Sequence, residues 1–357
     1  MDKNRVMTYV AAMVIVLTIL FGNLDLASQA VILLLALATI LWARRAYFFF
    51  IKANRIYSAK DRSRYPEAMA WYARTLKAGI SPKYTVLAAT ILIQEGHASE
   101  GRWALEKLVT SRSVKDEAIL GQAKSALSLA FYIDRDYERA LSLCEEVMKT
   151  KYRDNVLYIN ICTYYLALGR VKDFRRTVRE FSQSRVTSPA LLDLQIVYEM
   201  LGGNWKGAYV MLRTLFDKAS SFGFADPYVH MAQVWMHYGR SDEAVKMLDE
   251  ALEKVSFRPV TIISKDFIQN LRDALCDEST RVQTMADCDS DPVSVINGWM
   301  PAHAPEGHRF APQEELEMAE QAALESPGEV DADLDDKEPD TELNADDEEW
   351  LRRHQGS

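Results

Sequence analysis

Asp136-Tyr137-Glu138-Arg139-Ala140-Leu141 and Gly239-Arg240-Ser241-Asp242-Glu243-Ala244-Val245 are two copies of one pattern, which occurs five times between Pro82 and Arg258. Each copy has an apolar run of helix length, a tight turn marked by Gly or a charged residue, and a second run that opens with a small residue. The turns read Gln94-Glu95-Gly96-His97, Ile133-Asp134-Arg135-Asp136, Leu168-Gly169-Arg170, Leu201-Gly202-Gly203-Asn204 and Tyr238-Gly239-Arg240. Five positions after the turn landmark stand Gly101, Ala140, Phe174, Ala208 and Ala244, at spacings of 39, 34, 34 and 36 residues. A period near 34 with a small residue at one fixed place marks a stacked helix-turn-helix array. The small residue lets the second helix of a pair approach the first. The larger neighbours Leu105, Leu212 and Leu248, with Phe131, Tyr165 and Trp235, fill the space between pairs.

On these residues the chain resembles the tetratricopeptide repeat (TPR) family over about half its length. It departs from the family at Phe174, where a small residue is expected, and in extra residues near Ser111 to Glu117, which predict a longer helix or a wider bend. The resemblance implies a binding scaffold whose first helices line a concave surface. Carried across, that groove holds Thr90, Ile93, Leu129, Tyr132, Ile159, Thr163, Leu166, Val197, Met200, Val229, Gln233 and Met236. Its apolar lining suits an amphipathic helix or an extended hydrophobic peptide, and the competing role for each residue is packing of repeat on repeat. The Lys/Asn carboxylate clamp of the family is matched only at Asn160, so that mode is not expected.

Composition agrees with an all-α class. Helix formers dominate, and no convincing alternating strand run appears. Cys144, Cys162, Cys276 and Cys288 have no CxxC spacing and read as reduced thiols in a cytosolic domain. The net charge of −9 is unevenly spread. From Glu314 to Glu349 seventeen acids face Lys337 alone, whereas residues 1–313 carry +5.

Ahead of the repeats lie two apolar runs, Val6 to Phe21 and Leu26 to Ala43, separated by Gly22-Asn23-Leu24-Asp25. Each is slightly short of the ~20 residues that cross a hydrocarbon core. Together they predict a transmembrane hairpin over residues 1–45. A cleaved signal peptide is the rival reading. The second run and the lack of a small-x-small site weigh against it. Lys3 and Arg5 precede the hairpin, and Arg44, Arg45, Lys52 and Arg55 follow it. The positive-inside bias then places both termini and the repeats in the cytoplasm, at a bacterial inner membrane. Those four later bases are a candidate lipid-headgroup collar, with plain topology signalling as the equal alternative.

Residues 46–64 predict a basic juxtamembrane helix, and 65–276 the solenoid. Ala68 is in phase with the array, so Phe49 to Lys60 and the helix from Tyr65 form a degenerate opening repeat fed directly by the membrane helix. Ser264 to Leu275 predicts a capping helix. Residues 277–357 read as a Pro-containing linker and a disordered acidic tail, with a short helix from Pro312 to Leu324. Trp350-Leu351 near the end is either a docking peptide or an incidental hydrophobe.

Chemistry is sparse. There is no Gly-rich phosphate loop, GxSxG or HExxH. His230 and His237 share a helix face without further ligands, and nothing in the sequence fixes His303 and His308. The expectation is therefore a membrane-anchored scaffold with a protein or peptide partner. No enzyme activity, cofactor, nucleic acid or small-molecule substrate is expected. The alternative is a regulatory or assembly subunit of a membrane enzyme or transporter, contacting it through the hairpin.

Overall fold

The computed structural model describes residues 3–21, 25–182, 188–219, 221–258 and 261–325. Among these residues the fold is all-helical, with helices packed in sequence order. Two compact units divide the chain: Met1–Tyr152 with Arg258–Val260, and Arg153–Phe257 with Thr261–Ser357.

The first unit begins with α1 (Lys3–Phe21), which packs on α2 (Leu26–Ser58). Asp25 caps α2 by accepting the Ser28 N–H at 2.9 Å. α2 is unbroken over 33 residues and changes character midway. Its first part is apolar and open, with Leu34, Leu35 and Trp42 about 60% exposed. From Ala43 onward a single stripe of Ala43, Ala46, Phe50, Ala53 and Ile56 is buried. That three-and-four spacing is the signature of a helix facing a core on one side. α2 is long and apolar enough to cross a membrane, whereas the apolar stretch of α1, Met7–Leu17, is shorter.

The buried stripe of α2 packs on α3 (Tyr65–Ala78). The end of α2 and α3 thus form a helical pair fed by one continuous helix. α4 (Pro82–Gln94) then pairs with α5 (Ala98–Val109), and α6 (Glu117–Ile133) with α7 (Tyr137–Met148). The extra residues near Ser111 go with a longer helix. α6 has 17 residues against 13 in α4.

The second unit holds α8 (Asn155–Ala167) with α9 (Val171–Ser182), α10 (Pro189–Met200) with α11 (Trp205–Lys218), and α12 (Asp226–His237) with α13 (Ser241–Lys254). α14 (Lys265–Cys276) lies on α13 and presents Phe267, Ile268, Leu271 and Leu275 to the core.

Each of the five helical pairs turns in the same way. One residue adopts the left-handed conformation: Gly96 (φ 86°), Arg135 (φ 61°), Gly169 (φ 66°), Gly203 (φ 77°) and Gly239 (φ 69°). The next residue donates its N–H five positions back, as His97 to Leu92 at 2.7 Å and Asp136 to Phe131 at 2.9 Å. Arg170 to Tyr165, Asn204 to Glu199 and Arg240 to Trp235 repeat the bond at 2.7–2.9 Å. This is the Schellman termination, which satisfies carbonyls left over at a helix end.

The small-residue positions are crossing points. Ala68, Ala140, Ala208 and Ala244 are fully buried. At Gly101 a Cβ would stand 2.6 Å from both the Ala89 carbonyl oxygen and Ile93 Cγ1. Phe174 is also fully buried.

The chain past Cys276 departs from the expected linker. α15 (Arg281–Ser290), α16 (Pro292–Ile296) and α17 (Gln313–Glu325) fold onto the second unit. α15 and α16 pack on α12, and α17 packs on α11. Met285, Cys288, Val295, Leu316 and Ala319 join the core there. The helix expected from Pro312 is α17. The first acids of the tail, Glu314 to Glu325, thus belong to a folded helix, while the turn residues 22–24 and the tail from Ser326 on, with Trp350 and Leu351, lie outside the described residues.

Candidate binding surfaces

The twelve groove residues fall into two sets. Ile93, Leu166, Val197, Met200, Val229 and Met236 are at most 2% exposed. Thr163 and Gln233 are buried as well. These eight side chains form the interior between helices. Thr90, Leu129 and Tyr132 in the first unit and Ile159 in the second stay half-buried. Thr90 Oγ1 donates back to the Val86 carbonyl at 2.9 Å, and the Tyr132 ring lies 5.2 Å from Tyr137.

The burial on α12 has an identifiable cause. Gln233 Nε2 donates to the Pro292 carbonyl at 3.2 Å, so α16 sits on the face expected to be open. Three acids at alternate positions, Asp287, Asp289 and Asp291, tie the strap that follows. Asp287 accepts from the Ala304 N–H at 2.7 Å, from Gln283 Nε2 at 2.6 Å, and pairs with His303 Nδ1 at 2.9 Å. Asp289 bridges His237 Nδ1 at 2.7 Å and His308 Nε2 at 2.8 Å. Asp291 accepts from the Ser294 and Ala302 N–H groups at 3.3 and 3.1 Å. Burial opposes the charges of Asp287 and Asp291, yet these donors hold both carboxyls below the usual range. The Ala311 N–H also donates to the His237 carbonyl at 3.0 Å, and Trp205 stacks on the His237 ring at 4.3 Å. His303 and His308, which the sequence leaves unplaced, are thus held by side-chain partners. A D-x-D-x-D run facing two later histidines was the available signal.

A second polar cluster lies inside the same unit. His230 Nδ1 and Asp193 Oδ1 are 2.8 Å apart and both side chains are buried. Burial works against a charged His230, while the Asp193 carboxylate counters it, and the net effect raises the imidazole. Asp226 at the start of α12 is pushed up to about 6, first by burial and then by the charge of Asp193. His230 Nε2 has no partner among the described residues. Among the described residues no group of three His, Cys, Asp or Glu is arranged to hold a metal ion. The four cysteines are free, and burial raises the thiols of Cys162 and Cys288, the latter to about 12.

The collar bases are spread out along α2. Arg45 stacks over Trp42 at 3.8 Å and donates to its carbonyl at 2.8 Å. Arg44 lies 5.8 Å from the Tyr47 ring. Lys52 is held between the Trp71 ring, at 4.2 Å, and Glu67, at 3.9 Å. At ~1.5 Å per residue, Lys52 and Arg55 lie about 12 and 17 Å beyond Arg44. Arg44 and Arg45 alone of the four adjoin the open apolar stretch. A shallow cleft beside α3 and α5 is lined by Ala73, Leu76, Lys77, Ser99, Glu100 and Trp103.

The fold and these surfaces define a class: an all-helical array of helix pairs with an exposed apolar helix leading into it. Beyond that class, the chain matches no protein-family profile and no curated protein sequence.

Proposed function

We propose that this chain is a membrane-anchored helical-repeat scaffold of the tetratricopeptide type. It is held at the cytoplasmic face of a bacterial inner membrane by α1 and α2, and it binds a protein or peptide partner. The single observation carrying this reading is the continuity of α2. One helix runs without a break from an exposed apolar stretch into the buried stripe that packs on α3. An exposed apolar surface of this size, followed at once by Arg44 and Arg45, fits lipid with bases on the cytoplasmic side. α1 packs on α2 and is read as the other arm of a two-span hairpin.

The partner surface in this reading is the half-buried face of α4 and α6, where Thr90, Leu129 and Tyr132 stand. The corresponding face of α12 is occupied by the chain's own α16, a short apolar helix laid across it. An amphipathic helix is therefore the chemistry expected on α4 and α6. Two measurements test the proposal. Alkaline extraction of membranes should leave the full chain in the pellet, and cross-linking partners captured through Leu129 should disappear in Leu129→Asp. Release into the supernatant would remove the anchor, and an unchanged cross-linking profile would remove the surface. The open apolar side chains of α2 favour a second reading, an assembly subunit that grips a membrane enzyme or transporter by its hairpin. In that case residues 1–45 alone would retain the partner.

A further inference from the structure

The opening helices set a depth scale along α2. Ring contacts pair Tyr57 with Tyr65 at 4.9 Å, Phe50 with Tyr72 at 5.9 Å and Phe49 with Trp71 at 5.4 Å, so α3 runs antiparallel to α2. From Trp71, α3 continues seven residues to Ala78, a rise of about 10 Å. The same rise back along α2 from Phe49 reaches Trp42. The turn Gly79-Ile80-Ser81 is therefore level with the end of the open apolar stretch. α4 then returns parallel to α2. Tyr84 meets Tyr47 at 5.9 Å and Phe50 at 4.8 Å, and beyond the other end of α4 Glu95 accepts the Tyr57 hydroxyl at 2.9 Å.

The acids are sorted along this depth, while the bases are divided, with Lys52, Arg55, Lys60, Arg62 and Arg64 lying away from the Trp42 end. Arg44, Arg45, Arg74, Lys77 and Lys83 lie at the Trp42 end, all exposed except the half-buried Arg45. From Arg44 to Ser99 the acids are Asp61, Glu67 and Glu95. Each of these lies at the opposite end: in the cap after α2, in the first turn of α3 and just past α4. Glu100, on α5, flanks Lys77 across the shallow cleft. Aromatic rings interleave with the bases, with Arg74 4.5 Å over Trp71 and Lys83 5.9 Å over Tyr84. Topology signalling does not explain this arrangement. Such bases act within about 15–20 residues of a span, and Arg74, Lys77 and Lys83 follow Ala43 by more than that. Folding, not sequence proximity, brings them to the level of Arg44 and Arg45.

We propose that the α3–α4 turn is a second membrane contact, in which Lys77 and Lys83, with Arg74, Arg44 and Arg45, hold the headgroups of anionic phospholipids. The proposal rests on the reading of α2 as a membrane span. Its consequence is mechanical: the first helical pair is clamped against the bilayer at two points and does not swing on a single helix.

The test uses the full chain in nanodiscs of phosphatidylcholine, with and without phosphatidylglycerol, and reads amide hydrogen exchange from Ile80 to Tyr84. Each base near an anionic surface is worth about a fivefold change in equilibrium. Phosphatidylglycerol should therefore slow this segment by at least that factor. The slowing should vanish in about 1 M salt, where the Debye length is ~3 Å. It should also vanish in the double variant Lys77→Gln, Lys83→Gln. Both residues are exposed, so the variant should keep the wild-type circular dichroism and the wild-type exchange of Phe50 and Tyr72. Equal exchange in the two lipid mixtures, or a slowing that survives in the double variant, would overturn the proposal. Alkaline extraction is read separately. Loss of the wild-type chain from the pellet would remove the span and the proposal with it. A pelleted chain with lipid-insensitive exchange would remove the turn contact alone.

Discussion

Arg135 holds a backbone conformation that glycine holds at the four equivalent turns, and exchanging it tests whether these turns are one device. Its φ of 61° places a Cβ against the following carbonyl, at about 1–2 kcal/mol for an L-residue. Arg135→Gly removes that strain. Against it stands the greater freedom of glycine in the unfolded chain, worth about 0.4–1 kcal/mol. The net expectation is a gain of about 0.5–1 kcal/mol in the α6–α7 pair. The reverse exchange is available at Gly169, whose φ is 66° and where an added Cβ meets nothing within 4 Å. Gly169→Ala should therefore lose a similar amount through backbone strain alone. Urea titration of the full chain in mild detergent, with amide exchange in α6, α7, α8 and α9 to localise each effect, reads both changes. A destabilised Arg135→Gly, or a Gly169→Ala variant indistinguishable from wild type, would refute the argument that the left-handed residue terminates these helices.

At Gly101 a methyl group meets the Ala89 carbonyl and Ile93, so Gly101→Ala should destabilise the α4–α5 pair by about 1–3 kcal/mol, read as faster amide exchange in both helices. Asp226 and His230 both bind protons more tightly in the folded chain. The stability from Asp226 is complete below about 4 and lost as pH rises through about 6, and that from His230 is complete below about 6.5 and lost as pH rises further. The second unit should therefore be more stable at pH 5 than at pH 8, and Asp226→Asn should flatten the acid part of that slope by about 1–3 kcal/mol, as measured by thermal melts across pH. Asp289→Ala leaves His237 and His308 without their shared carboxylate. It should loosen the strap by about 1–3 kcal/mol and expose residues 299–311 to limited proteolysis, with α2 to α7 unaffected.

The repeat core was legible because its determinants are local and periodic. Gly101, Ala140, Ala208 and Ala244 recur at one register, and the helix pairs that they join are present in the fold. Phe174 breaks the register in the sequence, and in the structure it is fully buried in its pair like the small residues at the other positions. The unbroken run from the apolar stretch into the opening pair could also be read, since α2 passes from an all-round apolar pattern to the stripe Ala43, Ala46, Phe50, Ala53 and Ile56. What could not be read depends on polar contacts between distant positions. Apolar periodicity fades after Cys276, yet Asp287, Asp289 and Asp291 take donors from residues 302–308 and from α12, fixing a segment whose proline content suggested a linker. The same contacts explain the burial of the expected groove on α12, whereas Ile93, Thr163, Leu166, Val197 and Met200 are buried between neighbouring helices. Val229, Gln233 and Met236 have the right register for an inner face, but register shows only which side of a helix a residue occupies, not whether that side is already covered. On α12 it is covered by α16. On α4 and α6, Thr90, Leu129 and Tyr132 remain partly accessible, so a search for a partner begins with those two helices and with the basic turn between α3 and α4 that rests, in this reading, on the bilayer.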